Sequence, residues 1–108
     1  SNPEFEPKII PLKFQLHQNY PNPFNPSTTL KVDIPFIDSV EKFKTQIHIY
    51  NILGQRVKTI FNGYLTPDTY EFKWHGKNQY NVNVASGVYF YQVRAGRYVS
   101  AKKMVLIK

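Results

Sequence analysis

Apolar and polar residues alternate one for one through most of this chain, a period that fits β-strands and excludes amphipathic helices. In "TTLKVDI", Leu30, Val32 and Ile34 share one side while Thr29, Lys31 and Asp33 share the other. Ile47 and Ile49 alternate with Gln46, His48 and Tyr50. Tyr70, Phe72 and Trp74 alternate with Thr69, Glu71 and Lys73. "GVYFYQVRA" sets Tyr89, Tyr91 and Val93 against Val88 and Phe90, and "YVSAKKMVLIK" forms a last strand running to the final residue. No ten-residue window carries a helical stripe. Short strands at this spacing must bury one face against a second sheet, so the expected fold is all-β, a two-layer antiparallel sandwich of about seven strands. Its core should hold Leu30, Val32, Ile34, Ile47, Ile49, Phe72, Trp74, Tyr89 and Tyr91.

Punctuation fits this pattern. Gly54 in "NILGQRV" suits a hairpin position with positive φ, and Asn62-Gly63 is a second turn signal. "HGKNQYNVNVASG", bounded by Gly76 and Gly87, reads as a long surface loop. Before the strands lies "NYPNPFNPST", which proline bars from any helix interior or central strand. It should form a stiff, extended strap anchored by Tyr20 and Phe24. Residues 1–11, with prolines at 3, 7 and 11, read as a linker or as residues foreign to the natural chain, leaving 12–108 as the folded domain. A chain opening on SNPEF reads as a piece of something larger.

The 108 residues suffice for one domain, and the net charge of +7 favours an acidic partner. The basic residues are scattered, however, and are read as a solvated face. Cysteine is absent, which removes disulfides and thiolate metal sites. No apolar run is long enough to span a bilayer, and no signal peptide is visible. His17, His48 and His75 lack metal-ligand spacing, and His48 on an outward strand face is expected to be solvated. Ser86 lacks a nucleophile elbow, and Asn78, Asn81 and Asn83 have no carboxylate beside them to complete a calcium site. The expectation is no enzyme, no cofactor and no metal. Tyr89, Phe90 and Tyr91 invite a nucleic-acid stacking platform, but they are read as a central strand covered on one face by the second sheet and on the other by the strap. No nucleic acid partner is expected.

Taken in order, "QNYPNPFNPSTTL", "IYNILGQRVKTI" and "VASGVYFYQVRAG…KKMVLIK" resemble the C-terminal sorting domains of type IX secretion cargo, of the kind usually called type A. The resemblance runs from about Phe14 to Lys108. It implies an immunoglobulin-like sandwich, similar also to that of the flagellar hook-capping protein, at the end of a larger secreted protein. It implies as partners the outer-membrane secretion machinery and a sortase-like peptidase, with an unknown cargo preceding the domain and no membrane-spanning segment. The location implied is secreted or cell-surface, by way of the periplasm. The family's motifs fall on Gly87 and Tyr89 and on Lys102, Lys103, Met104, Val105, Leu106, Ile107 and Lys108, the candidate recognition residues. Where the family has W-D-G this chain has Trp74-His75-Gly76; Asn81 and Asp68 replace two expected glycines. Lys102 and Lys103 must point to opposite sides, leaving one free for an acidic receptor surface, and the last strand's unpaired edge offers a template for strand addition. The alternative is a retained structural or polysaccharide-binding module of a secreted enzyme.

Overall fold

The structure, a computed structural model, describes residues 7–108. Readings that concern residues 1–6, including part of the linker, lie outside the described residues. The described chain forms seven strands: β1 (Gln15–Leu16), β2 (Thr28–Ile34), β3 (Phe43–Asn51), β4 (Arg56–Leu65), β5 (Asp68–Trp74), β6 (Gly87–Ala95) and β7 (Tyr98–Leu106). They pair antiparallel in two sheets, ordered β1-β2-β5 and β4-β3-β6-β7. The expected all-β sandwich is the observed one, and no described residue is helical.

Alternation decides which faces meet. Leu30, Val32 and Ile34 of one sheet pack against Ile47, Ile49, Tyr91 and Val93 of the other, all buried. Removing each such side chain from water stabilises by roughly 1.5–3 kcal/mol, which makes the core the main support of the fold. Of the nine expected core residues, Phe72 alone is half-buried, packed on the core's margin against Phe61. Gly54 turns the β3–β4 hairpin with φ +77°, while the Asn51 side chain accepts the backbone N–H groups of Leu53 and Gln55.

Five expectations fail, each for a local reason. The last strand does not run to the final residue but stops at Leu106, because β6 begins at Gly87, opposite Leu106, and offers Ile107 and Lys108 no partner. Asn62-Gly63 is no turn: both lie inside β4, opposite Gln46 and Thr45. Gly63 serves packing instead, since a Cβ there would stand 3.2 Å from Phe61 Cζ. His48 is not solvated but only 7% exposed. Beside a register shift in the β3–β4 pair, it hydrogen-bonds through Nδ1 with Thr59 Oγ1 and packs edge-on to Tyr50. The Tyr20 side chain is no apolar anchor, being 81% exposed; only its backbone holds the strap, through a bridge to Thr29. The outer face of β6 is not covered by the strap, which passes along the edge of the sheet; Phe90 on that face is 37% exposed.

Candidate functional site

The candidate recognition residues cluster where β6 and β7 meet the strap. In the β6–β7 register the backbone groups of Val99, Ala101, Lys103, Val105 and Ile107 turn away from β6, towards the sheet's outer edge. Left bare, such an edge invites pairing with other chains. The strap occupies its C-terminal half. Phe24 N–H donates to Val105 O at 3.0 Å, and Ile107 N–H donates to Phe24 O at 2.9 Å, a parallel bridge. Val105 N–H donates to Asn22 Oδ1 at 3.0 Å, and Gln18 Nε2 donates to Lys103 O at 2.8 Å. The expected unpaired edge is thus closed from Lys103 O to Ile107, because proline-spaced residues supply backbone and amide groups in its register. Val99 and Ala101 keep an edge without a backbone partner among the described residues.

The strap is itself pinned from inside. Asn19, buried, donates its backbone N–H to Tyr91 Oη at 2.7 Å and its amide to Thr28 Oγ1 at 2.9 Å and Pro21 O at 3.1 Å. Tyr91 Oη in turn donates to His17 O at 2.6 Å. A phenol so enclosed resists ionisation, and burial pushes its pKa up to about 12 against the ordinary 10.0. Phe24 enters the core beside Trp74, 5.7 Å between ring centroids, and Trp74 meets Tyr89 edge-on at 5.3 Å. Trp74 Nε1 donates to Lys77 O, and Tyr89 Oη to Ala85 O, so this aromatic row also ties down the long loop. The peptide bonds preceding Pro21, Pro23 and Pro26 are cis.

Within this frame the nine residues separate. Tyr89, Met104 and Leu106 are buried and give the strand pair its shape. Gly87 opens β6 with φ +149°. Lys102 lies opposite Tyr91 on the core side of the sheet and is half-exposed, whereas Lys103 lies opposite Phe90 on the outer face. Lys103, Ile107 and Lys108 are exposed and Val105 partly so. A partner reaching this strand meets those four.

The departures from the family pattern are absorbed locally. Asn81, in place of one expected glycine, adopts the left-handed conformation, φ +64°. Asp68 accepts the Thr69 N–H and pairs with Lys8 at 3.1 Å; these contacts hold its carboxyl below the usual range. His75 Nδ1 shares a hydrogen bond with Ser27 Oγ at 2.8 Å, and Gly76 follows at φ +69°. His17 pairs with Asp33 at 2.8 Å. Asn78 Oδ1 accepts from the backbone N–H of Tyr80 and Val82, so its oxygen is committed to the loop. Sequence reasoning missed Asn19 and Gln18 as fastening points. Their signal was faint: two amides just ahead of the first strap proline.

A family model described as "Secretion system C-terminal sorting domain" matches residues 18–108, from the strap through β7. Among solved structures the chain is similar to dimeric latent PorU from Porphyromonas gingivalis, with TM-score 0.70 and 24% identity over 92% of this chain and 10% of that one. It is also similar to PorZ, an essential surface component of the type-IX secretion system of the same organism, with TM-score 0.56 and 20% identity over 86% of this chain and 11% of that one. The chain thus spans about a tenth of each, and at these identities the likeness establishes the fold alone. No curated protein matches.

Proposed function

The chain belongs to the family of secretion system C-terminal sorting domains, and we propose that it is read as a folded label by the type IX outer-membrane machinery. Its function as a C-terminal sorting signal follows from that membership; a sorting signal is not itself a catalyst. The finer reading is that exposed Lys103, Val105, Ile107 and Lys108 contact the machinery, while Gly87, Tyr89, Met104 and Leu106 fix the strand that presents them. Lys102 lies on the core side of the same strand, half-exposed. The cargo precedes the domain, joined through residues 1–11, with 12–108 as the folding unit. A sortase-like peptidase then acts on the exported protein, which is released or held at the cell surface. The observation that carries this reading is the family match over 18–108, which includes both the strap and the strand it clasps.

The test is export of a periplasmic reporter with this chain at its C-terminus, in a host with type IX secretion. Deleting Lys102 to Lys108 is a poor probe, because it also removes buried Met104 and Leu106 and so unfolds the sandwich. The informative variant is Lys103→Glu, Ile107→Ser and Lys108→Glu together. The full fusion should reach the outside, while the folded variant should stay in the periplasm. A folded, intact fusion that is retained as fully as the bare reporter overturns the assignment to this machinery. Equal export of the variant overturns the role given to the strand.

A further inference from the structure

Carboxylates are segregated between the two sheets. Those on the described residues are Asp33 and Glu71, on the outer face of the three-stranded sheet, Asp68 at the start of β5, and Asp38 and Glu41 in the β2–β3 connection. On that outer face Lys31 stands directly opposite Glu71 in the β2–β5 register, Lys73 lies opposite Thr29, and Asp33 pairs with His17, so two lysines share the face with two carboxylates. Strands β3, β4, β6 and β7 contain no Asp or Glu at all. Their outer face carries exposed Lys44, Arg56, Arg94 and Lys103, none in an ion pair among the described residues. The scattered cations that the sequence presents as one solvated population are therefore balanced on one face and unopposed on the other.

One row of the unopposed face sets aromatic residues between its cations, and the next row towards Arg94 is His48, Gln92 and Ala101. Tyr50 lies opposite Phe90, and Phe90 opposite Lys103, so Arg56, Tyr50, Phe90 and Lys103 form one row across all four strands. With three strand spacings, the row's two cations stand roughly 14 Å apart. Val88 and Val105 form the neighbouring pair, and Arg94 stands four residues along β6 from Phe90, roughly 13 Å away. An exposed aromatic with valines beside it and arginines and a lysine around it has the composition of a protein interface centre and rim. A nucleic acid or a charged polysaccharide would be better served by a continuous basic track than by cations set apart by uncharged side chains such as Phe90 and Gln92.

We propose that the outer face of the β4-β3-β6-β7 sheet docks onto an acidic protein surface, with Phe90 at the centre and Arg56, Arg94 and Lys103 around it. The proposal rests on the sorting-domain reading for its setting, since that partner would belong to the export machinery. Carboxylates on the partner would meet cations that have no internal competitor, and attraction of this kind acts mainly on the rate of encounter.

Two double variants with the same change in net charge test it: Arg94→Glu with Lys103→Glu on this face, and Lys31→Glu with Lys73→Glu on the other. Each is checked for an unchanged fold by circular dichroism and thermal melting. In the reporter assay the first pair should lower the export rate roughly tenfold and the second should leave it near the parent's. Phe90→Ser, which changes no charge, should lower it as well. Equal effects of the two pairs would mean that net charge alone matters and would overturn the proposal, even with the parent exported normally. Binding is read separately on immobilised polyglutamate, where the first pair should elute at clearly lower salt than the second. Identical elution also overturns the proposal, whether or not the parent is exported. If the first pair loses binding to a sulfated polysaccharide while polyglutamate elution stays unchanged, the face is a glycan site and the assignment to a protein partner fails. Failure of the parent fusion alone, with the elution difference present, counts against the sorting machinery and not against this face.

Discussion

Removing a single oxygen should measure how firmly the strap is tied to the sandwich. Tyr91→Phe keeps the buried ring but deletes the hydroxyl that accepts from Asn19 N–H at 2.7 Å and donates to His17 O at 2.6 Å. Two backbone groups lose their partner, and a buried unpaired group costs about 1–3 kcal/mol. Some relaxation of the strap reduces the sum, so the expected loss at pH 8 is roughly 2–4 kcal/mol, or at least about 10 °C in melting temperature. The same hydroxyl predicts a pH signature. Its pKa in the folded protein is about 12, against 10.0 when unperturbed. A raised pKa means that the stability it brings is fully present below pH 10 and is lost as pH rises from 10 through 12, because the unfolded chain ionises first. At 1.36 kcal/mol per pKa unit the loss amounts to about 2–3 kcal/mol. Urea unfolding of both proteins at pH 8, 10, 11 and 12 should therefore show their difference shrinking towards zero. All other tyrosines and lysines are common to the pair and cancel. A variant within 0.5 kcal/mol (roughly the scatter of an innocuous surface change) of the parent at pH 8, or a difference constant to pH 12, would refute the reasoning.

Three further outcomes follow from local geometry. Burial and the nearby Arg56 lower the pKa of His48 below its ordinary 6.5. The parent should therefore lose stability relative to His48→Gln as pH falls below 6.5, the gap levelling off once His48 is charged in the folded state too; denaturant titrations from pH 7.5 to 5 check this. Gly76→Ala should cost about 2 kcal/mol or more in denaturant unfolding, since Ala is strained at φ +69° and its Cβ would stand 3.1 Å from Pro26 O, a backbone atom. Gln18→Ala with Asn22→Ala should cost only about 1–2 kcal/mol, yet raise concentration-dependent association in light scattering by baring Lys103 O and Val105 N–H on the β7 edge.

How much of this could be read from the chain depended on whether the signal was periodic. The faces of β2, β3, β5 and β6 follow from alternation alone, because a period of two admits one buried set. β4 escaped that logic. Its register shifts against β3 break the alternation, and Gly63, suited by its missing Cβ to the ring of Phe61, looks from sequence like half of a turn. His48 misled for the same reason: its outward phase is right, but beside the shift it meets Thr59 and Tyr50 rather than water. At the candidate site the residues of β7 were legible and their availability was not. Whether an edge is open depends on a segment some eighty positions away in sequence, and no local pattern in "AKKMVLIK" announces it.

That distant segment changes what the terminal strand can be used for. Phe24 fills the core beside Trp74 while its own backbone brackets Val105 and Ile107, so core packing and edge closure are coupled through one residue. A partner adding a strand along Lys103 to Ile107 would have to displace Phe24 and forfeit its burial, roughly 3 kcal/mol or more. Strand addition there is therefore disfavoured while the domain stays folded, and the edge left for it is the short stretch about Val99 and Ala101. The outer face carries no such cost: Phe90, Arg94 and Lys103 are already exposed, and docking on them leaves the clasp intact. A folded label read on its face and sealed along its terminal edge can be recognised without being opened.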